Sequence, residues 1–231
     1  MQRTRILLMS GLAVLASGVP SVYGRSGEGL STASDAGYLS EMEKDVILHL
    51  NMARTDPAGY AEDFIEPRLS FFTGTDYHEP GGPVQRTTEG VRAVEECVSE
   101  MMEAEPAGVL LPSHAISLAA EDHAVDHSET GNRGHTGSDG STFDNRIERY
   151  ADWHGTIGEV IAFGPSSGSE IIAILLIDDG VSDRGHRINL LNPDFRYVGI
   201  AIEEHPEYGY VCVMDFAADY DPIEGTVPDT F

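Results

Sequence analysis

Two runs in this chain each set a histidine directly after a glycine: Gly134-His135-Thr136-Gly137-Ser138-Asp139-Gly140 and Arg184-Gly185-His186-Arg187-Ile188-Asn189-Leu190-Leu191-Asn192-Pro193. Between them stands Gly158-Glu159. Two imidazoles and a carboxylate on separate turn-like segments can be brought into one cleft by a fold. Neutral imidazoles suit zinc and similar divalent ions, and a carboxylate on the second ring nitrogen fixes the tautomer and raises ligand basicity. Two histidines make an open site whose remaining positions go to water or substrate, and an acid that is not a ligand can act as general base on that water. Plainer roles compete. His135 in a glycine-rich loop can cap a turn, His186 can pack at a helix N-terminus, and Glu159 can be a buried acid bonded to backbone amides.

The elements that must position these residues read from the hydrophobic period. Ser40 followed by Glu43 predicts a capping box, and Met42, Val46, Ile47, Leu50 and Ala53 recur at helical spacing until Asp56-Pro57 ends the helix. Residues 66–88, rich in Pro, Gly and aromatics, predict an ordered but irregular excursion. Two more helices are expected over 91–102 and 116–127, then a loop to about Thr142 that carries His135, then a short helical turn from Phe143 to Tyr150. Val160 to Phe163 predicts a strand, Ser169-Glu170 opens an apolar helix through Ile177, and Val198 to Ile202 with Tyr208 to Phe216 predict a closing hairpin. Helices, a few strands, another helix and a hairpin, without βαβ units, make an α+β fold.

The 231 residues suffice for one sizeable domain. Arg3 and Arg5 before an apolar stretch from Ile6 to Ala16, then small residues, predict an export signal over residues 1–24, too short to span a bilayer. A linker is expected over 25–38, the domain over 39–220 and a frayed tail over 221–231. The formal charge of -25 disfavours binding to nucleic acid phosphates and to anionic membrane surfaces. Lys44 is the one lysine among 14 basic residues, and the acids are scattered, which suggests a solvated surface adapted to high salt. Salt screens the self-repulsion of such a charge, so the melting temperature is expected to rise with added salt in a calorimetric scan. A flat response would count against the idea. Cys97 and Cys212 allow a single disulfide, and two buried thiols are the equal alternative.

The residues above resemble the CAP superfamily, which includes cysteine-rich secretory proteins, insect venom antigens, plant pathogenesis-related proteins and many exported bacterial proteins. The resemblance covers roughly residues 41–218. It rests on Leu50-Asn51-Met52-Ala53-Arg54, Ala119-Ala120 with His123, Gly134-His135-Thr136, Gly158-Glu159, and Gly185-His186-Arg187-Ile188-Asn189 with Asn192-Pro193. It implies a three-layer α-β-α sandwich with a cleft lined by two histidines and two acids. Those positions carry over to His135, Glu159 and His186, with Asp178 as the fourth and Asp179 one residue away. One departure is Val160, where the family usually has an asparagine after the cleft glutamate. Members have been linked to lipid or sterol binding and to proteolysis, so the resemblance does not choose an activity.

Three functions are compatible with these residues. The first is a secreted or periplasmic binding module for an unidentified lipid or peptide ligand, with His135 and His186 holding a divalent metal, zinc by preference. The second is a metal-assisted, peptidase-like hydrolase using Glu159 or Asp178 as base. The third is a serine esterase, because Gly164-Pro165-Ser166-Ser167-Gly168 matches the nucleophile-elbow pattern and Asp178 and His186 follow in triad order. Against the third, Pro165 restricts the turn and no upstream oxyanion loop is evident. His123 and His127 stand one helical turn apart but lack the glutamate of a zincin, and His123, His49, Tyr150 and Trp153 read as packing residues. Neither Asp139-Gly140 nor residues 219–221 have calcium-loop spacing.

Overall fold

The computed structural model describes residues 29–79 and 81–227, and the expected export signal lies outside them. Helix α1 (Glu41–Thr55) starts at Ser40, whose hydroxyl accepts the Glu43 N–H while the Glu43 carboxylate accepts the Ser40 N–H at 2.7 Å. The apolar stripe Val46, Ile47, Leu50 and Ala53 is fully buried. After α2 (Pro57–Tyr60), the excursion forms a π-helical turn (Ala61–Ile65), a 3-10 turn (Glu66–Phe71) and a small antiparallel sheet of β1 (Phe72–Thr73), β2 (Asp76–Tyr77) and β3 (Gln85–Arg86). Then come α3 (Val91–Glu103), β4 (Leu111–Pro112), α4 (His114–Thr130), α5 (Phe143–Ile147), β5 (Ala151–Phe163), α6 (Gly168–Ile177), α7 (Gly185–Leu191), β6 (Tyr197–His205) and β7 (Gly209–Pro222).

The main sheet has the order β4-β6-β7-β5, antiparallel except for the β4-β6 pair, which places β5 at an edge. Strand alternation sorts its residues onto two faces. Val160, Ala162, Val198, Ile200, Cys212, Met214 and Phe216 pack with α1, α3 and α6. Ile161, Ala201, Val211 and Val213 face Ala120 and Ala124 of α4. The result is the expected α-β-α sandwich. Gly199 on β6 lets α4 descend: a Cβ there would stand 2.2 Å from the Ile116 carbonyl carbon. Among the described residues no helix is long and apolar enough to cross a membrane.

The structure departs from the sequence reading in particular places. Strand β5 begins at Ala151 rather than Val160, because its first half pairs with Asp219–Pro222 of β7 across an irregularity between His154 and Ile157. Polar residues and Gly155 hide that half from an apolar-run search. Ser167 caps α6, accepting the Glu170 N–H, where Ser169 was expected. Before Leu39 the chain already lies on the domain: Ala33 is buried, and Thr32 donates its hydroxyl hydrogen to the Leu110 carbonyl at 2.8 Å. Cys97 and Cys212 are both free and buried, so the disulfide alternative gives way to two apolar thiols. Burial pushes the Cys97 thiol up to about 11.

Candidate functional site

His135 sits in the loop between α4 and α5, and two buried histidines of α4 hold that loop. His127 Nδ1 contacts the Asn132 carbonyl at 2.7 Å, and His123 Nε2 contacts the Gly134 carbonyl at 2.9 Å. A carbonyl only accepts, so both nitrogens carry hydrogen. The same His123 N–H also faces His127 Nε2 at 3.0 Å, so one hydrogen is shared between that nitrogen and the Gly134 carbonyl. Burial lowers the pKa of both rings and keeps them neutral. The packing role expected for His123 is thus a loop-clasping one, shared with His127. Asp126 adds a bond from the Ser138 N–H at 2.9 Å.

The imidazole so placed gives its Nδ1 to Glu159 Oε1 at 2.7 Å. Glu159 projects from β5 toward the α4 face, and its other oxygen accepts from Arg146 Nη2 at 2.6 Å. Arg146 also bonds the His135 carbonyl at 3.3 Å and the Ser141 carbonyl at 3.0 Å, so one buried guanidinium ties loop, strand and α5 together. The Glu159 and Arg146 side chains are each 1% exposed, whereas that of His135 is 55% exposed. The bond from Glu159 raises the His135 pKa above the ordinary histidine value, with burial opposing. Val160 points into the apolar core on the opposite face. Position 160 thus points away from the Glu159 carboxylate, which Arg146 and His135 hold.

The second histidine is held in the same way. Asp178 ends α6 in the left-handed region at φ 57° and is 3% exposed, and its carboxylate accepts both the His186 N–H at 3.0 Å and His186 Nδ1 at 2.6 Å. Asp179 turns the other way and accepts the Thr88 and Glu89 amides at 2.6 and 2.7 Å. Of the two acids, Asp178 and not Asp179 bonds His186. Arg184, also left-handed at φ 52°, fixes the turn by donating to Glu89, Glu96 and the Asp178 carbonyl. Helix α7 then lies against β5 at the residue before Glu159: a Cβ on Gly158 would stand 3.0 Å from Phe195 Cζ and 3.3 Å from Asn189 Oδ1. That contact accounts for the glycine of the Gly158-Glu159 landmark and brings the His186 helix to the strand that carries Glu159.

The chain matches the model of the cysteine-rich secretory protein family, CAP, over residues 86–216, more than half its length. The chain belongs to the CAP family. Among solved structures the CAP domain is similar to an extracellular SCP-domain protein of Bacillus anthracis, at 20% identity and a TM-score of 0.39. That match covers 55% of this chain and 38% of the Bacillus one. It is also similar to an outer surface protein of Borrelia burgdorferi, at 18% identity and a TM-score of 0.41, over 53% of this chain and 86% of that one. No curated protein matches the sequence significantly.

Chemically, the CAP site presents two imidazoles whose Nδ1 atoms are occupied by buried carboxylates, which leaves Nε2 of each for a ligand. Among the described residues no group of three or more His, Cys, Asp or Glu is placed to hold a metal. A closed structural zinc site, which takes four protein ligands, is therefore not formed among the described residues. The serine elbow does not assemble: Ser166 precedes α6 and Asp178 follows it, and ten helical residues at about 1.5 Å each set them roughly 15 Å apart. Sequence reading missed Arg146, in a short helix without a motif, and Asp215, fully buried and paired in register with Glu159.

Proposed function

We propose that this CAP domain is an exported extracellular binding module in which His135 and His186 hold a divalent ion, zinc by preference, next to the surface that receives a lipid or peptide ligand. The observation that carries this reading is the matched wiring of the two imidazoles, each oriented at Nδ1 by a buried carboxylate. Zinc, when bound, would supply a Lewis-acid centre with open positions. The same wiring favours binding over hydrolysis. The Glu159 and Asp178 side chains are 1% and 2% exposed and are turned to their histidines, so neither acid presents an oxygen to bulk water as a general base would.

Zinc titration by calorimetry tests this. Wild type is expected to release heat, and the His135→Ala, His186→Ala double variant none. Glu159→Gln and Asp178→Asn are each expected to weaken binding about 10–100-fold through their histidines. Protons compete with the metal for imidazole. Because the His135 pKa is raised, affinity should begin to fall at a pH above the ordinary histidine midpoint of about 6.5 and keep falling as acid is added. Absence of heat from wild type would end the proposal. Chelator-sensitive turnover in a peptide and ester panel would promote the hydrolase reading instead.

A further inference from the structure

Gly199, Asp215 and Glu159 form one row across β6, β7 and β5, in register and on the face that α4 covers. The row runs from inside to outside. At Gly199 the α4 backbone closes on the sheet, Asp215 beside it is 0% exposed, and Glu159 at the edge strand meets half-exposed His135. Both Asp215 oxygens lack a hydrogen-bond partner among the described residues. Its charged surroundings are Glu159 on β5 and Arg146 on α5, while neutral His123 on α4 lies near both. Arg146 is already committed to Glu159. An ionised carboxylate sealed from water beside a second carboxylate, with no donor of its own, is not a stable arrangement, and one of the two must hold a proton. Glu159 has two cationic or N–H partners and Asp215 has none, so the proton belongs on Asp215.

We infer that Asp215 is a neutral carboxylic acid whose O–H supports Glu159 from beneath, making it a positioning residue for the His135–Glu159 pair. A small reorientation of the Asp215 carboxyl group would give Glu159 a third donor, in addition to His135 and Arg146. The direction of the Asp215 pKa agrees, raised well above the ordinary aspartate value by burial and then by Glu159, with Arg146 opposing. The inference rests on the proposed role of His135 only for its bearing on metal binding. The protonation state of Asp215 stands apart from that role.

Two measurements on the metal-free full chain decide it. Side-chain carboxyl carbon NMR is expected to show the Asp215 signal still in its protonated form at neutral pH, and an ordinary aspartate midpoint would overturn the inference. In thermal melts, a folded pKa raised above the unfolded value makes wild type lose stability as pH rises from about 4 to about 7, a loss that the amide of Asp215→Asn does not suffer. The melting temperature of Asp215→Asn minus that of wild type should therefore grow with pH, and a flat or falling difference would overturn the inference. Support of Glu159 predicts that its carboxyl carbon signal moves in Asp215→Leu and stays in Asp215→Asn. Equal movement in both would refute that role, and should the leucine variant not fold, a Glu159 signal that moves in Asp215→Asn refutes it as well. With zinc, Asp215→Asn is expected to stay within about twofold of wild type and Asp215→Leu to lose about tenfold. Failure of wild type to bind zinc would end the metal proposal and leave the Asp215 result standing.

Discussion

Arg146→Met is expected to destabilise the protein by about 3–5 kcal/mol, because it strands a buried carboxylate. Glu159 and Arg146 are each 1% exposed at the side chain and meet at 2.6 Å. Removing the guanidinium leaves Glu159 with His135 as its remaining hydrogen-bond partner, takes the Arg146 donor from the His135 carbonyl and leaves the Ser141 carbonyl with the Gly137 N–H. A surface ion pair would contribute less than about 1 kcal/mol, so the size of the loss discriminates between the two situations. Urea denaturation of wild type and variant measures it. The double variant Arg146→Met, Glu159→Gln should recover part of the loss, since no uncompensated charge then remains, and a double-mutant cycle reads the coupling. A single-variant loss below about 1 kcal/mol would show that water reaches the pair. Because Arg146 also binds the loop that carries His135, zinc affinity should fall along with stability.

What the sequence disclosed about this site depended on how local each signal was. His135 and His186 stand in glycine-bearing motifs, and Asp178 came from the CAP resemblance; the structure pairs His135 with Glu159 and His186 with Asp178. Glu159 stood out by its glycine neighbour, and the structure shows why that glycine is there: Phe195 and Asn189 pack against it. Arg146 carried no local mark. Its role depends on an edge strand and a loop that meet only after folding. Asp215 did carry a signal. In Val211-Cys212-Val213-Met214-Asp215-Phe216 the alternation that buries Val211 and Val213 against α4 puts Asp215 in the same inward series, and an acid at an inward position is the informative exception. The docking of residues 30–33 was hidden for the opposite reason. It relies on Asn51 and Thr32 hydrogen bonds with one small apolar residue, Ala33, in the core, too little for a hydrophobic pattern to show. The cysteines show the limit of counting: both are buried in one core and remain unbonded.

The landmarks on α1 are scaffold rather than chemistry, and Arg54→Met is expected to cost more than about 3 kcal/mol for that reason. Arg54 is fully buried, and its guanidinium donates to four carbonyls: Gly108 at 2.9 Å, Leu190 at 2.7 Å, Asn192 at 2.9 Å and Phe195 at 3.2 Å. Burial pulls its pKa down to about 10, still high enough to keep the charge at neutral pH. Leu190 and Asn192 close the C-terminal end of α7, where backbone carbonyls lack helical partners and a cation is favoured. The same helix holds His186 near its start, so Arg54 anchors from one side what Asp178 orients from the other. Methionine would fill the volume but leave the buried Leu190 and Phe195 carbonyls, and the half-buried Gly108 and Asn192 ones, without the guanidinium donors. Lysine should not rescue, since a single ammonium cannot span the fork that serves Gly108 on one edge and Phe195 on the other. Thermal melts of Arg54→Met and Arg54→Lys test this, and a lysine variant as stable as wild type would show that charge alone, rather than the geometry of the fork, holds α7 in place.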